Sequence, residues 1–266
     1  MTAVPAPVPA PSYVPGHNLL DGKGVVITAA AGTGIGFAAA KRCAEEGARI
    51  VISDIHERRL NEAADALAEA VGVRPPTVLC NVTREADVQN LVDVAARELG
   101  GIDVMINNAG LGGTVDLVDM TDDQWNVVLD VTLNGTMRCV RAAMRHMIAR
   151  GVGGAIVNNA SVVGWRAQDG QCHYAAAKAG VMALTRCAAM EAAAHNVRIN
   201  CVAPSLAMHP FLAKVSSQDF LDSLVSLEAF KRAAEPWEVA NVMVFLASDY
   251  ASYMTGEVVS VSAQHP

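Results

Sequence analysis

A chain of 266 residues that is 52% hydrophobic but only 5% aromatic has room for one large α/β domain or two small ones. Its core must be built from Ala, Val, Ile and Leu, which suits helices packed on a parallel sheet. A formal net charge of −7 with no Lys/Arg run argues against a nucleic-acid partner.

The first sixteen residues, MTAVPAPVPAPSYVPG, are Pro/Ala-rich and have no helical or strand period. Residues 1–18 are therefore expected to be a disordered, extended tail, and 19–266 one folded domain. From Leu19 onward, strand-like and helix-like stretches alternate. The pattern predicts strands at 24–28, 49–53, 77–80, 102–107, 154–159, 198–202 and 257–261. Helices are predicted at 34–46, 57–70, 85–99, 121–150, 173–195 and 236–247. This β-α-β-α order implies a doubly wound, mostly parallel sheet with helices on both faces. The uncharged run from Gly24 to Ala40 is short and is broken by Gly32, Gly34 and Gly36, so no membrane span is expected. Cysteines at 43, 80, 139, 172, 187 and 201 form no C-x-x-C and have no paired histidines. They read as free, mostly buried thiols in a reducing, cytoplasmic setting, with no metal.

The first strand runs into Ala30-Ala31-Gly32-Thr33-Gly34-Ile35-Gly36 and then a helix. Such a turn lets backbone approach a pyrophosphate whose charge faces the helix N-terminus. The bland alternative is a tight turn of small residues. The second strand ends in Asp54. A carboxylate there can accept from ribose hydroxyls and repels a 2′-phosphate, favouring NAD over NADP; the alternative is a helix N-cap. Asn107-Asn108-Ala109-Gly110 ends the fourth strand at the same crevice, and Ser161 follows the fifth. Tyr174 and Lys178 are four apart in an alanine-rich helix and so share one face. A free phenol keeps its proton to about pH 10, and a neighbouring ammonium favours its ionised form. Ser161, Tyr174 and Lys178 thus predict proton transfer at a carbonyl or carbinol oxygen, with the hydride carried by nicotinamide.

Together with Arg198-Ile199-Asn200, Ala203-Pro204 and Thr255-Gly256, these residues resemble the short-chain dehydrogenase/reductase family over residues 19–262. The resemblance implies a single-domain Rossmann-type fold, with Tyr174 as acid/base, Lys178 on the nicotinamide ribose and Ser161 orienting the substrate. It implies cofactor contacts from Gly32, Thr33, Gly34, Ile35, Gly36, Asp54, Asn81, Val82, Asn108, Ala109, Gly110, Tyr174, Lys178 and Pro204, and a homotetramer or homodimer. The sequence departs from the family pattern at four places. Ala30 replaces the first glycine, putting a methyl near the cofactor. Asn81 replaces an adenine-contacting aspartate. Thr132 replaces the fourth catalytic residue, an asparagine, which leaves open whether a threonine hydroxyl serves. Ser205–His209 replaces the usual loop after the sixth strand.

The runs Ser53–Leu60, Ala160–Gln168 and Ser260–Pro266 resemble one actinobacterial branch of that family. The branch contains enzymes of late steroid degradation acting on a methylated indanone carried as a CoA thioester. A substrate lid is expected at about 205–235, its apolar residues either covering the substrate or packing the lid on the body. Trp165, Arg166 and His209 are candidate substrate contacts. The alternatives are a 3-oxoacyl-(acyl carrier protein) reductase using NADPH, and a dinucleotide-binding sensor with weak catalysis.

Overall fold

The computed structural model describes residues 7–208 and 218–263. Seven strands form one sheet in the order β3-β2-β1-β4-β5-β6-β7, and every pair is parallel. They are β1 (Gly24–Ile27), β2 (Arg49–Asp54), β3 (Thr77–Leu79), β4 (Val104–Asn107), β5 (Gly154–Asn159), β6 (Val197–Pro204) and β7 (Val258–Val261). The helices are α1 (Ile35–Glu45), α2 (Glu57–Val71), α3 (Glu85–Leu99), α4 (Asp122–Leu129), α5 (Gly135–Arg150), α6 (Cys172–Ala192), α7 (Gln218–Leu227) and α8 (Pro236–Ala247).

The central strands are apolar on both sides because both faces are covered. Val25 and Ile27 of β1 pack with α1, α2 and α8 on one face. Val26, between them, packs with α3, α5 and α6 on the other. Each such fully buried side chain contributes about 1.5–3 kcal/mol relative to exposure. The chain reverses its winding between β1 and β4, so the turns after these two strands face each other. Thr28 N–H donates to the Ile106 carbonyl (3.1 Å), and the Thr28 hydroxyl accepts from the N–H groups of Asn108 (3.0 Å) and Ala109 (3.2 Å). A crevice beyond the carboxyl ends of the strands at such a reversal is where this architecture takes ligands.

Two features differ from the sequence reading. The stretch 121–150 is not one α-helix. A capping box of Thr121 and Gln124 starts α4, and a π-helical turn at Asp130–Asn134 separates it from α5. Thr132 lies in this turn and is fully buried, its hydroxyl bonded to the backbone of Leu111 in the loop after β4. The second feature is the N-terminal segment. Residues 7–18 form no helix or strand, yet they are tied to the body. Arg42 donates to the carbonyls of Val14 (2.6 Å) and Pro15 (3.2 Å), and Glu46 accepts from His17 N–H (2.7 Å) and Leu19 N–H (3.0 Å). Arg42 and Glu46 also pair with each other in the interior at 2.6 Å, with side chains 5% and 0% exposed. Both terminal nitrogens of Arg42 and both oxygens of Glu46 are thus hydrogen-bonded, while Arg42 Nε is buried without a partner.

Candidate active site

The glycine-rich turn occupies the β1–α1 corner. Gly36, in the first turn of α1, is the point of closest approach. A β-carbon there would lie 2.2 Å from the Ala29 carbonyl oxygen and 2.5 Å from Asn108 Nδ2. Ala29 itself adopts a positive φ of 51°, a cost accepted where the chain must turn sharply. The methyl of Ala30 does not face the cofactor side, as the sequence suggested. Ala30 is fully buried among the apolar residues under α1, and its N–H donates to the Ser53 carbonyl (3.0 Å). Replacing glycine there fills core rather than crevice.

Asp54 divides its carboxylate. One oxygen accepts from the N–H of Ala31 in the glycine-rich turn (3.3 Å), the other from His56 N–H (3.0 Å). His56, not Asp54, is the N-cap residue of α2. Burial raises the Asp54 carboxyl above its ordinary value, opposed by its backbone N–H partners and by Arg59. An acceptor is thus held beside the turn, as a ribose site requires. Asn81 spends its side-chain oxygen on Thr83, from the N–H (3.0 Å) and the hydroxyl (2.9 Å), which leaves its amide nitrogen as the group it can offer. Val82 is buried against the start of α5, where a β-carbon on Gly135 would meet it at 2.7 Å. Pro204 is the last residue of β6, paired with Val261.

A row of asparagines joins this corner to β5. Asn108 Nδ2 donates to the Ala29 carbonyl (3.0 Å), and Asn159 Nδ2 donates to Asn108 Oδ1 (2.9 Å). Beneath them Asn107 donates to Asn158 (2.9 Å), and Asn158 to Thr185 (2.9 Å). The main-chain carbonyl of Asn159 then accepts from Lys178 Nζ (2.6 Å). Asn159 was not singled out from the sequence. Its signal was a pair of amides ending a strand that is otherwise apolar.

Lys178 is buried at 3% exposure, and its ammonium stands 5.5 Å from the centroid of the Tyr174 ring. Gly110 and Gly112 leave room for the pair: a β-carbon on Gly110 would come within 3.3 Å of Lys178 Nζ, and one on Gly112 within 3.4 Å of Tyr174 Cδ2. Ser161 follows β5, two residues beyond the carbonyl that holds Lys178. Its Oγ accepts from Val163 N–H (3.2 Å), and its hydroxyl keeps a proton to donate. The turn it starts packs on α6, where a β-carbon on Gly164 would touch Met182 Cε at 2.7 Å. The structure therefore brings Ser161, Tyr174 and Lys178 to the same end of the sheet as the glycine-rich turn.

Thr132 is fully buried, and its hydroxyl is committed at both ends. It accepts from Leu111 N–H (2.9 Å) and donates to the Leu111 carbonyl (3.0 Å). Its own carbonyl accepts from the Thr136 hydroxyl (2.7 Å). The hydroxyl thus clamps the backbone of the loop carrying Gly110 and Gly112. Asn134 faces elsewhere, donating to Asp130 (3.2 Å). Thr132→Val keeps the shape and orphans both Leu111 groups. It should cost roughly 1–3 kcal/mol of stability and lower kcat, whereas Thr132→Ser should restore both. Thermal unfolding with steady-state kinetics checks this, and a Val variant as stable and active as the parent would sink it.

Of the candidate substrate residues, Trp165 is 48% exposed and Arg166 is part-buried. His209 lies outside the described residues. In the described parts of the expected lid, Leu221 is buried at 2% while Leu227 (66%) and Phe230 (48%) are exposed. His173 is buried beside Gly113. Cys43, Cys80, Cys139 and Cys201 are buried free thiols, and burial pushes Cys43 and Cys80 up to about 12 and Cys201 to about 11. They stay protonated and unreactive at neutral pH. Cys172 and Cys187 are exposed. Among the described residues no group of three or more His, Cys, Asp or Glu is placed to hold a metal ion, and no helix is long and apolar enough to cross a membrane.

Comparison with known proteins agrees with this geometry. A family model described as enoyl-(acyl carrier protein) reductase matches residues 29–263. The chain is 60% identical over 258 residues to (5R,7aS)-5-hydroxy-7a-methyl-1-oxo-2,3,5,6,7,7a-hexahydro-1H-indene-carboxyl-CoA reductase of Mycobacterium tuberculosis, covering 97% of this chain and 98% of that protein. It is 37% identical to a 3-oxoacyl-(acyl carrier protein) reductase of Thermotoga maritima, covering 91% and 97%. A crystal structure of a short chain dehydrogenase from Mycobacterium smegmatis superposes with a TM-score of 0.86 at 54% identity, covering 97% and 99%. A parallel sheet with a glycine-rich first turn, Ser161 beyond β5, Tyr174 and Lys178 on the next helix, and full-length likeness to such proteins place the chain in the short-chain dehydrogenase/reductase family.

Proposed function

We propose that the chain interconverts a secondary alcohol and a ketone on a cyclic, steroid-derived acyl-CoA with NAD as the redox partner. The observation that carries this reading is the 60% identity, over nearly the whole of both chains, to a reductase named for a methylated hexahydroindene carboxyl-CoA. The site chemistry supports it. The open space at Gly32, where a β-carbon would meet nothing within 4 Å, suits a pyrophosphate facing the start of α1. Asp54 stands where ribose hydroxyls would be received and where a 2′-phosphate would be repelled. Bound nicotinamide supplies or accepts the hydride. The Ser161 hydroxyl, with its oxygen already occupied by Val163 N–H, donates to the substrate oxygen and orients it. Tyr174 transfers the proton at that same oxygen. Lys178, tethered to the Asn159 carbonyl, fixes a positive charge beside the phenol. Trp165 and Arg166, just beyond Ser161, and His209 are the proposed substrate contacts. We assign the working form as a homotetramer or homodimer in a reducing cytoplasm, with 19–266 as the catalytic domain.

A second reading, an acyl-carrier-protein reductase using NADPH, is favoured by the 37% identity to such an enzyme. One turnover experiment separates the two: bicyclic indanone carboxyl-CoA and 3-oxoacyl carrier-protein substrates, each with NADH and NADPH. The proposal expects the indanone thioester with NADH to give the highest kcat/KM. A preference for the carrier-protein substrate with NADPH would overturn it. In the same assay Asp54→Ala should weaken NADH by about tenfold or more and NADPH much less; equal losses would reduce Asp54 to a turn-former.

A further inference from the structure

The Pro/Ala-rich N-terminal segment has no part in the chemistry above, yet its contacts are specific. Val8 spends both of its backbone groups on one short span of chain. Its N–H donates to the Phe230 carbonyl (2.9 Å), and its carbonyl accepts from Arg232 Nε (3.0 Å). Arg232 is in turn held by two bonds to Glu238 in the first turn of α8 (2.6 and 2.8 Å). The far side of that span is bonded to the stretch leaving β6: Ala234 N–H donates to the Leu206 carbonyl (2.8 Å), and Met208 N–H to the Ala234 carbonyl (3.0 Å). Residues 229–234 are thus gripped between the N-terminal segment and the wall that begins at Pro204.

Five residues further on, the segment is pinned again. The Tyr13 ring lies edge-on to Trp237 at 5.3 Å, with the Lys41 and Arg42 cations 4.4 and 5.7 Å from its centroid, and its hydroxyl is bonded to Glu45. Lys41, Arg42 and Glu45 belong to α1, the helix that follows the glycine-rich turn. Proline fixes much of the backbone of such a segment in advance, so holding it against the body costs little ordering entropy.

We propose that residues 8–15 act as a strap that positions the wall after β6 and thereby sets affinity for the substrate rather than for the dinucleotide. The choice of a CoA thioester as the assayed substrate rests on the function proposed above; the positioning itself does not. The hydrogen bonds and ring contacts of the strap described above reach 229–234, α8 and α1, and none of them involves Gly36, Asp54 or Asn108. Its loss should therefore loosen one side of the crevice only.

The test uses the full chain with Val8→Pro, which deletes one N–H while keeping an extended backbone, and separately Tyr13→Ala. The Val8 side chain is 47% exposed, so little packing is lost with it. Two measurements are made: hydrogen exchange of peptides covering 204–208 and 228–234, and the KM–kcat split with the indanone carboxyl-CoA. The expected result is exchange in those peptides faster by about fivefold or more, with exchange at 24–36 unchanged. KM for the thioester should rise roughly tenfold, while kcat and NADH affinity stay within about twofold. Unchanged exchange at 228–234 in both variants would overturn the strap. So would a parallel loss of NADH affinity, which would mark a general stabilising role. Should no CoA thioester be turned over by the parent chain, the exchange measurement alone decides the positioning, and the failure falls on the substrate assignment.

Discussion

Tyr174→Phe should lower kcat by about 10²–10⁴-fold while NADH binding, followed by fluorescence titration, stays within about twofold. The substitution removes one oxygen and nothing else. The ring keeps its place over Gly112, and Lys178 is held by the Asn159 carbonyl rather than by the phenol. The remaining Ser161 hydroxyl can still orient a carbonyl but does not replace the proton the phenol supplied. Retained turnover in the Phe variant would refute the acid/base role and direct attention to His173, the buried imidazole one residue before. A loss of NADH affinity as large as the loss of rate would instead make the phenol a cofactor contact.

Gly36→Ala should damage stability and cofactor binding together. The added methyl meets two fixed groups at once, the Ala29 carbonyl oxygen at 2.2 Å and Asn108 Nδ2 at 2.5 Å, and these two are bonded to each other. Neither is the free end of a flexible side chain, so backbone must move. Overpacking of this kind costs about 1–3 kcal/mol, or roughly 2–10 °C in Tm for a chain of this size. Displacing Asn108 also releases Asn159, and the disturbance reaches the strand that holds Lys178. Thermal unfolding with and without NADH reads both effects. The variant is expected to melt lower and to gain almost nothing from saturating NADH. A parent-like shift with NADH would show that the turn accommodates the methyl.

The alternation of elements was legible because parallel strands covered on both faces must be continuously apolar and the intervening helices must be amphipathic. The glycine-rich turn, Ser161 and the Tyr174/Lys178 pair were legible because each is a local pattern. Three other features depend on partners distant in sequence. Thr132 could be seen to differ from the family pattern, but its clamp on Leu111 bridges 21 residues and a π-helical turn that no local propensity announces. Ala30 shows the same limit at smaller scale: composition identifies a methyl, and only the packing under α1 says which way it faces. In the N-terminal segment, proline content describes the backbone and is silent about what the backbone lies against.

The bond between Val8 and Arg232 closes a loop of 224 residues. Val8 therefore meets this partner only after a further 224 residues have been made. The central strands can pair as soon as β4 follows β1, but this contact must wait for α8 to present Glu238 to Arg232. Joining such distant ends carries a closure entropy that grows only slowly with length, so the contact is slow to form rather than weak in principle. Resting on exposed backbone hydrogen bonds with little buried apolar surface, it should also be among the first to open in the native state. A protease cutting near residue 8 would then report on the assembly of the opposite end of the chain.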